Sequence, residues 1–203
     1  MKMRKEKDTI IYTIFRPIIK VLFYFLYRPR VFGLENIPKD GPFVLAGNHT
    51  KWLDPAMLIA VNKNHIHFLA KDELFHGLSS IVVKGMGCIP VNRRIHDKNV
   101  LINAYNYLNT DHVIGIFPEG TINRTDDTVM PFKIGAVKMA NKTKSLLVPF
   151  VIKGEYKIFR RGIEIEFLKP RKISDDLTFE NEKLMNIISK KLDSYYKNKK
   201  GCK

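Results

Sequence analysis

Short runs of apolar residues, separated by glycine, proline and helix-like segments, constrain the fold of this chain more than any other feature. The runs with the length and composition of strands are "FVLAG", "HIHFLA", "GCIPV", "VIGIF", "LLVPFVI" and "IEIEFL". The segments with helical composition or periodicity are "PAMLIAVNK", "KIGAVKMANK", residues 97–108 and residues 180–196. Because strands that alternate with helices form layered structures, we predict an α/β fold with a mixed central sheet and flanking helices, whose functional sites lie at the carboxyl ends of strands.

The N-terminal run "IIYTIFRPIIKVLFYFLY", residues 10–27, is apolar and aromatic but contains Arg16, Pro17 and Lys20. A membrane-spanning helix needs ~20 apolar residues with few charges, and the run is not followed by the small residues of a signal-peptide cleavage site. We therefore predict that residues 1–29 form an apolar, membrane-associating helical segment in the plane of a membrane surface, and that residues 30–203 form the main domain. The alternative is a core helix with a solvated basic tail.

The charge of the chain indicates an anionic partner. Lys and Arg number 35 against 20 acidic residues, a formal net charge of +15, and the basic residues concentrate near both ends. An anionic membrane surface fits this distribution because basic residues flank the N-terminal apolar run. Nucleic acid could also attract such charge, but the sequence has no helix-turn-helix signal or aromatic-basic stretch, so we expect no nucleic-acid partner. Only two cysteines, Cys88 and Cys202, are present, which indicates a reducing compartment.

The stretch "GNHTKWLDP" places His49 and Asp54 five positions apart, directly after an apolar run. On a continuous helix the two side chains would point about 140° apart, so they are not helix neighbours. A loop over residues 48–53, followed by a helix with Asp54 as N-cap and Pro55 as its first residue, would bring the carboxylate back to the imidazole. The carboxylate would then orient the ring and stabilise the imidazolium that forms when His49 takes a proton.

This pattern lacks a nucleophile of the protein's own. No GxSxG elbow occurs, and neither cysteine has an activating neighbour in sequence. We therefore assign the attacking hydroxyl to the substrate: His49 would deprotonate an acceptor alcohol that attacks an acyl carbonyl directly, without an acyl-enzyme. Taken alone, a His/Asp pair at this spacing is more often structural than catalytic. Because both residues are expected in a loop, alanine at position 49 or 54 is expected to abolish transfer and leave the fold intact.

Two further polar blocks follow predicted strands. "GCIPVNRR" places Arg93 and Arg94 after a strand, where a guanidinium can bind a phosphate through two parallel hydrogen bonds. "IFPEGT" places Glu119, Gly120 and Thr121 on a turn, where glycine permits close backbone approach and the other two side chains can hold a polyol. Each block alone also fits an ordinary surface feature. The common position of His49 and Glu119 after strand ends indicates one pocket.

Four blocks together resemble a known family. "NHTKWLD", "GCIPVNR", "FPEGT" and "LLVPFVI" occur in the order of the motif blocks of glycerolipid acyltransferases, and over roughly residues 30–155 the chain resembles the 1-acylglycerol-3-phosphate acyltransferases of the PlsC type. The resemblance implies an acyltransferase domain over residues 30–203 that moves a fatty acyl group from acyl-CoA or acyl carrier protein to the 2-hydroxyl of lysophosphatidate. The product would be phosphatidate for phospholipid biosynthesis. The implied location is the cytoplasmic face of the cell membrane, peripheral or monotopic.

The resemblance also implies roles for individual residues. The catalytic residues would be His49 as general base and Asp54 as its orienting partner. The substrate-binding residues would be Arg93 on the acceptor phosphate, the acceptor-binding turn of Glu119, Gly120 and Thr121, and Lys71 of "LAKDELF" on the oxyanion or the donor's phosphates.

Position 122 departs from the family pattern. The family often has arginine directly after the threonine of the third block, but this chain has Ile122, with Arg124 two residues further on. Either Arg124 substitutes or the acceptor phosphate rests mainly on Arg93. Other lysophospholipids and glycerol 3-phosphate therefore stay open as acceptors.

The remaining candidates for chemistry receive no role. No cofactor is expected besides the acyl donor, and no metal, because His49, Asp54 and Glu119 would be a small ligand set without a second histidine at helical spacing. Trp52, inside the motif loop, is expected to pack under His49 rather than to contact lipid. The other histidines are expected in the core or near turns.

Overall fold

The computed structural model describes residues 10–77, 79–92 and 98–200 and contains one mixed sheet flanked by helices. The strands are β1 (Arg30–Phe32), β2 (Phe43–Gly47), β3 (Ile66–Lys71), β4 (Ile89–Val91), β5 (Val113–Ile116), β6 (Leu146–Gly154) and β7 (Ile163–Phe167). The described helices are α1 (Ile10–Tyr27), α2 (Asp54–Val61), α3 (Ser79–Gly85), α4 (Lys98–Leu108), α5 (Gly135–Thr143) and α6 (Leu177–Lys200). Residues 1–9 of the predicted N-terminal segment lie outside the described residues.

The strand order is β1-β7-β6-β2-β5-β3-β4. Strands β6, β2, β5, β3 and β4 run parallel to one another, whereas β7 runs antiparallel to β6 and pairs in parallel with β1. The predicted α/β fold with a mixed central sheet is therefore confirmed. Because β2 lies between β5 and β6, the loops that follow these three strands meet at one edge of the sheet.

The central strand β2 is covered on both faces. Phe43 and Leu45 belong to an apolar cluster with α1 and α2, while Val44 and Ala46 belong to a second cluster with α4, α5 and α6. All five residues of the strand are buried, as is typical of parallel strands between two helical layers. This cover fixes the end of β2, from which the candidate site residues emerge.

Helix α1 packs on α2 through one face. Tyr12 and Phe23 are buried, and the Tyr12 hydroxyl donates to the Asn64 carbonyl at 3.0 Å. The Arg16 guanidinium donates twice to the Asn62 carbonyl, at 2.8 and 3.0 Å, directly after the last residue of α2. Arg16 therefore lies where a cation complements the dipole of α2, and the helix continues through Pro17.

The other face of α1 is apolar and exposed. Its exposed large apolar side chains are Ile10, Ile14, Phe15, Ile18, Val21, Leu22, Tyr24 and Phe25. By length and composition, with a mean hydropathy of 1.6, α1 is also long and apolar enough to cross a membrane. The orientation of the helix in the plane of the membrane surface therefore stays a prediction. The apolar N-terminal helix itself is confirmed, and it combines a core-facing side with an uncovered apolar side.

The ends of two elements, α6 and β1, are set by local geometry. Helix α6 begins at Leu177 rather than near residue 180, because Asp176 caps it: the Asp176 carboxylate accepts the N–H of Phe179 at 3.0 Å. Strand β1 ends at Phe32, since Gly33 adopts a φ of +70° and a Cβ there would collide with the carbonyl oxygen of Phe167.

Candidate active site

His49 and Asp54 form a close pair beyond the carboxyl end of β2. His49 Nδ1 lies 2.8 Å from Asp54 Oδ2; the Asp54 side chain is fully buried and that of His49 is 16% exposed. The preceding residue, Asn48, holds the loop to the neighbouring strand, because its amide donates to the carbonyl of Ile152 and accepts the N–H of Ile152, both at 2.8 Å. The start of the motif loop is thus fixed to β6.

The predicted N-cap role of Asp54 is wrong. Asp54 is the first residue of α2, and Leu53 precedes it without a side-chain cap bond. The Asp54 carboxylate turns back to the loop and accepts the N–H groups of Thr50 at 2.6 Å and Lys51 at 2.8 Å. These amides are close because the loop itself turns, with the N–H of Asp54 on the Lys51 carbonyl at 3.1 Å. The carboxylate therefore holds the loop that carries His49, and Asp54 is not a loop residue.

The His49 ring is held by stacking as well as by hydrogen bonding. The centroids of the His49 and Phe117 rings lie 4.0 Å apart, and the angle between the two ring planes is 16°. Because Asp54 accepts from Nδ1, that nitrogen carries the proton and Nε2 is left with its lone pair. The neutral ring can therefore take a proton at Nε2, while the carboxylate stabilises the resulting imidazolium.

Glu119 connects this loop to the block that follows β5. It is buried, and its carboxylate accepts the N–H of His49 at 2.7 Å through one oxygen and that of Met130 at 2.9 Å through the other. Burial raises the pKa of Glu119, and the two N–H donors partly oppose that rise. Both oxygens are thus occupied by backbone groups of the protein, so Glu119 organises the site.

Gly120 leaves room for a lysine that the sequence reasoning missed. Gly120 has a φ of +73°, and a Cβ there would lie 2.9 Å from Lys133 Nζ and 3.0 Å from its Cε. The Lys133 backbone is tied to the same turn, since its N–H donates to the carbonyl of Pro118 at 2.9 Å. The glycine therefore lets the Lys133 stem cross the turn. The available signal was a basic residue at the very start of the predicted helix "KIGAVKMANK".

Two pockets flank His49, and we call them the polar pocket and the apolar pocket. The polar pocket, of about 610 Å³, is lined among others by Lys51, Glu119, Asp126, Asp127, Asp193 and Lys197. The apolar pocket, of about 210 Å³, is lined among others by Leu69, Val91, Ile116, Phe117, Gly120 and Lys133. His49 lines both, so a group bound in either pocket lies beside the imidazole.

The other predicted binding residues are not all brought to these pockets. Arg93 lies outside the described residues, although Val91 lines the apolar pocket. Lys71 is exposed at the end of β3, Thr121 and Arg124 are exposed, and none of the three lines either pocket. Among the described residues, no group of three or more His, Cys, Asp or Glu side chains is arranged to hold a metal ion.

The exposure of Trp52 and the burial of Cys88 bear on the part that each side chain can take in the chemistry. Trp52 is 75% exposed, so the prediction that it packs under His49 is wrong: the loop turns its indole outward. Burial raises the pKa of Cys88 to about 11, so this thiol is a poor nucleophile near neutral pH.

Comparison with known proteins matches the sequence to one family. The acyltransferase family model matches residues 28–153. A 1-acyl-sn-glycerol-3-phosphate acyltransferase of Bacillus subtilis is 33% identical over 150 residues, which are 71% of this chain and 73% of that protein. A protein of the same name from Borreliella burgdorferi is 37% identical over 136 residues, which are 66% of this chain and 54% of that protein.

A solved structure shares the fold. The crystal structure of the 1-acyl-sn-glycerophosphate (LPA) acyltransferase PlsC from Thermotoga maritima superposes with a TM-score of 0.73 at 20% sequence identity, and covers 97% of this chain and 84% of that one. The match extends beyond residues 28–153 and therefore includes most of the terminal helices.

Proposed function

This chain belongs to the acyltransferase family, and we propose that it transfers a fatty acyl group from a thioester donor to the 2-hydroxyl of 1-acylglycerol 3-phosphate. The observation that carries the proposal is the 2.8 Å contact between His49 Nδ1 and the buried Asp54 carboxylate, with the ring between two pockets. The names of the Bacillus and Borreliella relatives support lysophosphatidate as the acceptor.

In the proposed reaction His49 acts as base and then as acid. Nε2 takes the proton of the acceptor hydroxyl as that oxygen attacks the thioester carbonyl, and Asp54 stabilises the imidazolium. The C–O bond forms, the tetrahedral intermediate collapses, the C–S bond breaks and the imidazolium protonates the leaving thiolate. No acyl-enzyme is formed, in keeping with the raised pKa of Cys88. Donor alone should therefore leave no acyl label on the protein.

The charges of the two pockets favour one site for the acceptor phosphate. Three aspartates, Asp126, Asp127 and Asp193, line the polar pocket and would repel a phosphate. The apolar pocket contains Lys133, which has no carboxylate within salt-bridge distance among the described residues. We therefore assign the phosphate to Lys133 at this pocket, with Arg93 as the second cation. Lys71 and Arg124 are not assigned a direct contact with the phosphate.

The exposed face of α1 supports docking on a membrane. Phe25 packs edge-on against Phe159 with ring centroids 5.5 Å apart, and both are more than half exposed. On the neighbouring helix α3, Ile81 and Val82 are also exposed. Aromatic and aliphatic side chains arranged in this way enter the headgroup boundary of a bilayer. An anionic membrane at the cytoplasmic face would hold the chain next to its lipid acceptor.

A transfer assay in detergent tests the proposal. Purified protein is given acyl-CoA or acyl carrier protein as donor and lysophosphatidate, other lysophospholipids or glycerol 3-phosphate as acceptor. We expect phosphatidate from lysophosphatidate, and at least a thousandfold loss in His49→Ala. If acyl transfer occurs only to another acceptor and not to lysophosphatidate, that acceptor replaces lysophosphatidate in the proposal. Transfer by His49→Ala at more than a tenth of the wild-type rate would contradict the role of the base.

A further inference from the structure

A tyrosine outside the family motif blocks contacts the His/Asp pair from behind. Tyr156 lies in the loop that follows β6, and its hydroxyl donates to Asp54 Oδ1 at 2.6 Å. The same hydroxyl lies 3.4 Å from the sulfur of Met57, one turn along α2. Tyr156 therefore reaches the carboxylate on the side away from His49. No sequence motif marks it, because it is 102 positions from Asp54.

The Tyr156 bond complements the other bonds of the carboxylate. Oδ2 accepts from His49, Thr50 and Lys51, whereas Oδ1 accepts from Tyr156 at 2.6 Å and from the Thr50 hydroxyl at 3.1 Å. Tyr156 is thus the shorter of the two contacts that fix Oδ1. A carboxylate held at both oxygens cannot rotate about its Cβ–Cγ bond, so Oδ2 stays aimed at the imidazole.

The hydroxyl remains a donor over the working pH range. Burial raises the pKa of Tyr156 above its ordinary value of 10.0, and the Asp54 carboxylate raises it further. Among the described residues, the titratable groups that face the Asp54 carboxylate or the Tyr156 hydroxyl include His49 and Glu119 from the loops after β2 and β5, and Tyr27 from α1. None of these is a cation that would compete for the carboxylate while His49 is neutral.

The ring of Tyr156 is seated by the last turns of α1. Phe23 meets it edge-on at 6.0 Å and Tyr27 at 5.5 Å, measured between ring centroids. Phe23 is only 4% exposed, and the opposite face of the same helix carries the uncovered apolar residues. The helix that we assign to the membrane surface therefore also packs on the residue that holds Asp54.

We propose that Tyr156 is a positioning residue of the site, which holds the Asp54 carboxylate in register with His49 and is itself seated by Phe23 and Tyr27 of α1. The kinetic consequence of this proposal rests on the proposed acyl transfer, but its structural consequence does not. Loss of the hydroxyl frees Oδ1, widens the range of carboxylate orientations and weakens the contact between Asp54 and His49. Loss of the α1 seat acts in the same direction.

Tyr156→Phe tests the proposal against Tyr105→Phe, a matched loss of one tyrosine hydroxyl on α4 at the other face of the sheet. In Tyr156→Phe we expect kcat to fall about tenfold, the effect of losing one hydrogen bond to a charged group, with the KM of both substrates unchanged. In proton NMR we expect the downfield resonance of His49 Nδ1–H, identified by its loss in His49→Ala, to move or broaden. Phe23→Leu should change the same resonance, and Tyr105→Phe should change neither readout.

The two readouts separate failure of this proposal from failure of the proposed function. If the wild type transfers no acyl group to lysophosphatidate, the proposed function fails, and the His49 resonance still decides the role of Tyr156. An unchanged resonance in Tyr156→Phe overturns the positioning role, even if Tm falls, because Tyr156 would then be a packing residue only. An unchanged resonance in Phe23→Leu overturns the link to α1.

Discussion

Replacement of Asp54 by two different residues should separate its structural role from its chemical role. In Asp54→Asn the amide oxygen can take the place of Oδ2 and keep its three N–H donors, from Thr50, Lys51 and His49. The amide NH₂ then takes the place of Oδ1, where the hydroxyls of Tyr156 and Thr50 can rotate to accept rather than donate. The loop keeps its hydrogen bonds and loses only the negative charge.

Asp54→Ala instead leaves the N–H groups of Thr50 and Lys51 without their acceptor. A stranded donor costs about 1–3 kcal/mol when it is fully buried. Because these two hydrogen bonds are partly buried, the pair costs at most about 2–6 kcal/mol of the ~5–15 kcal/mol that typically stabilises a domain. For a chain of this size, 1 kcal/mol shifts Tm by about 2–4 °C. We therefore expect Tm to fall by up to about 24 °C in Asp54→Ala and by less than about 4 °C in Asp54→Asn. The sequence-based expectation that alanine would leave the fold intact assumed that Asp54 was a loop residue.

Activity, unlike stability, should not distinguish the two variants. Without the charge, the imidazolium of His49 loses its stabilising partner, so we expect kcat to fall by orders of magnitude. The upper bound on this loss is the loss of about 10⁴-fold that the same change causes in a Ser-His-Asp triad, where the histidine tautomer changes as well. Both variants should therefore be nearly inactive, although only Asp54→Ala is unstable. Thermal unfolding followed by circular dichroism, and initial rates with a labelled acyl donor, measure the two effects. Equal Tm values for the two variants would refute the hydrogen-bond account of the loop, and kcat above a tenth of wild type in Asp54→Asn would refute the need for the charge.

Three further outcomes are expected. Gly120→Ala should raise the KM for lysophosphatidate because the new Cβ displaces Lys133, whereas Gly41→Ala, with a φ of +86° and open space around it, should cost only the ~1–2 kcal/mol of backbone strain in thermal unfolding; equal KM values would contradict the Lys133 assignment. Because burial raises the pKa of Glu119, its contribution to stability is full below its unfolded pKa of about 4.5 and is lost as pH rises through the raised pKa. As pH falls from neutral, the Tm of the wild type should therefore rise relative to the Tm of Glu119→Gln; a Tm difference that does not change with pH would refute this. Glutamate at both Ile18 and Leu22 should reduce sedimentation with anionic vesicles, while Ile102→Glu on α4 should not; equal binding by all three proteins would exclude α1 as the docking face.

The positions of the strands along the chain were predictable from the sequence because their composition and their ends are encoded locally. A run such as "FVLAG" is short, fully apolar and closed by glycine, and β2 is accordingly buried at all five positions. The His49–Asp54 pair was predictable for the same reason, since the two residues lie only five positions apart in the chain.

Contacts between distant parts of the chain were not predictable in this way. Tyr156 meets Asp54 only because β6 pairs with β2, and Lys133 meets Gly120 only because α5 begins over the turn after β5. Glu119 was expected to face a polyol, but its two oxygens satisfy backbone N–H groups whose positions no single segment reveals. In each case the partner is set by strand order, which a local pattern does not contain.

The end of α6 closes one side of the polar pocket, although the family model stops at residue 153. Asp193, Tyr196 and Lys197 from its last turns line the pocket together with His49, whose loop is anchored to β6 through Asn48. Proton transfer and the outer contour of the cleft are thus built by separate stretches of polypeptide. Mutations in α6 can reshape this side of the pocket without moving the imidazole, so the contour of the cleft and the chemistry at His49 can diverge independently during evolution.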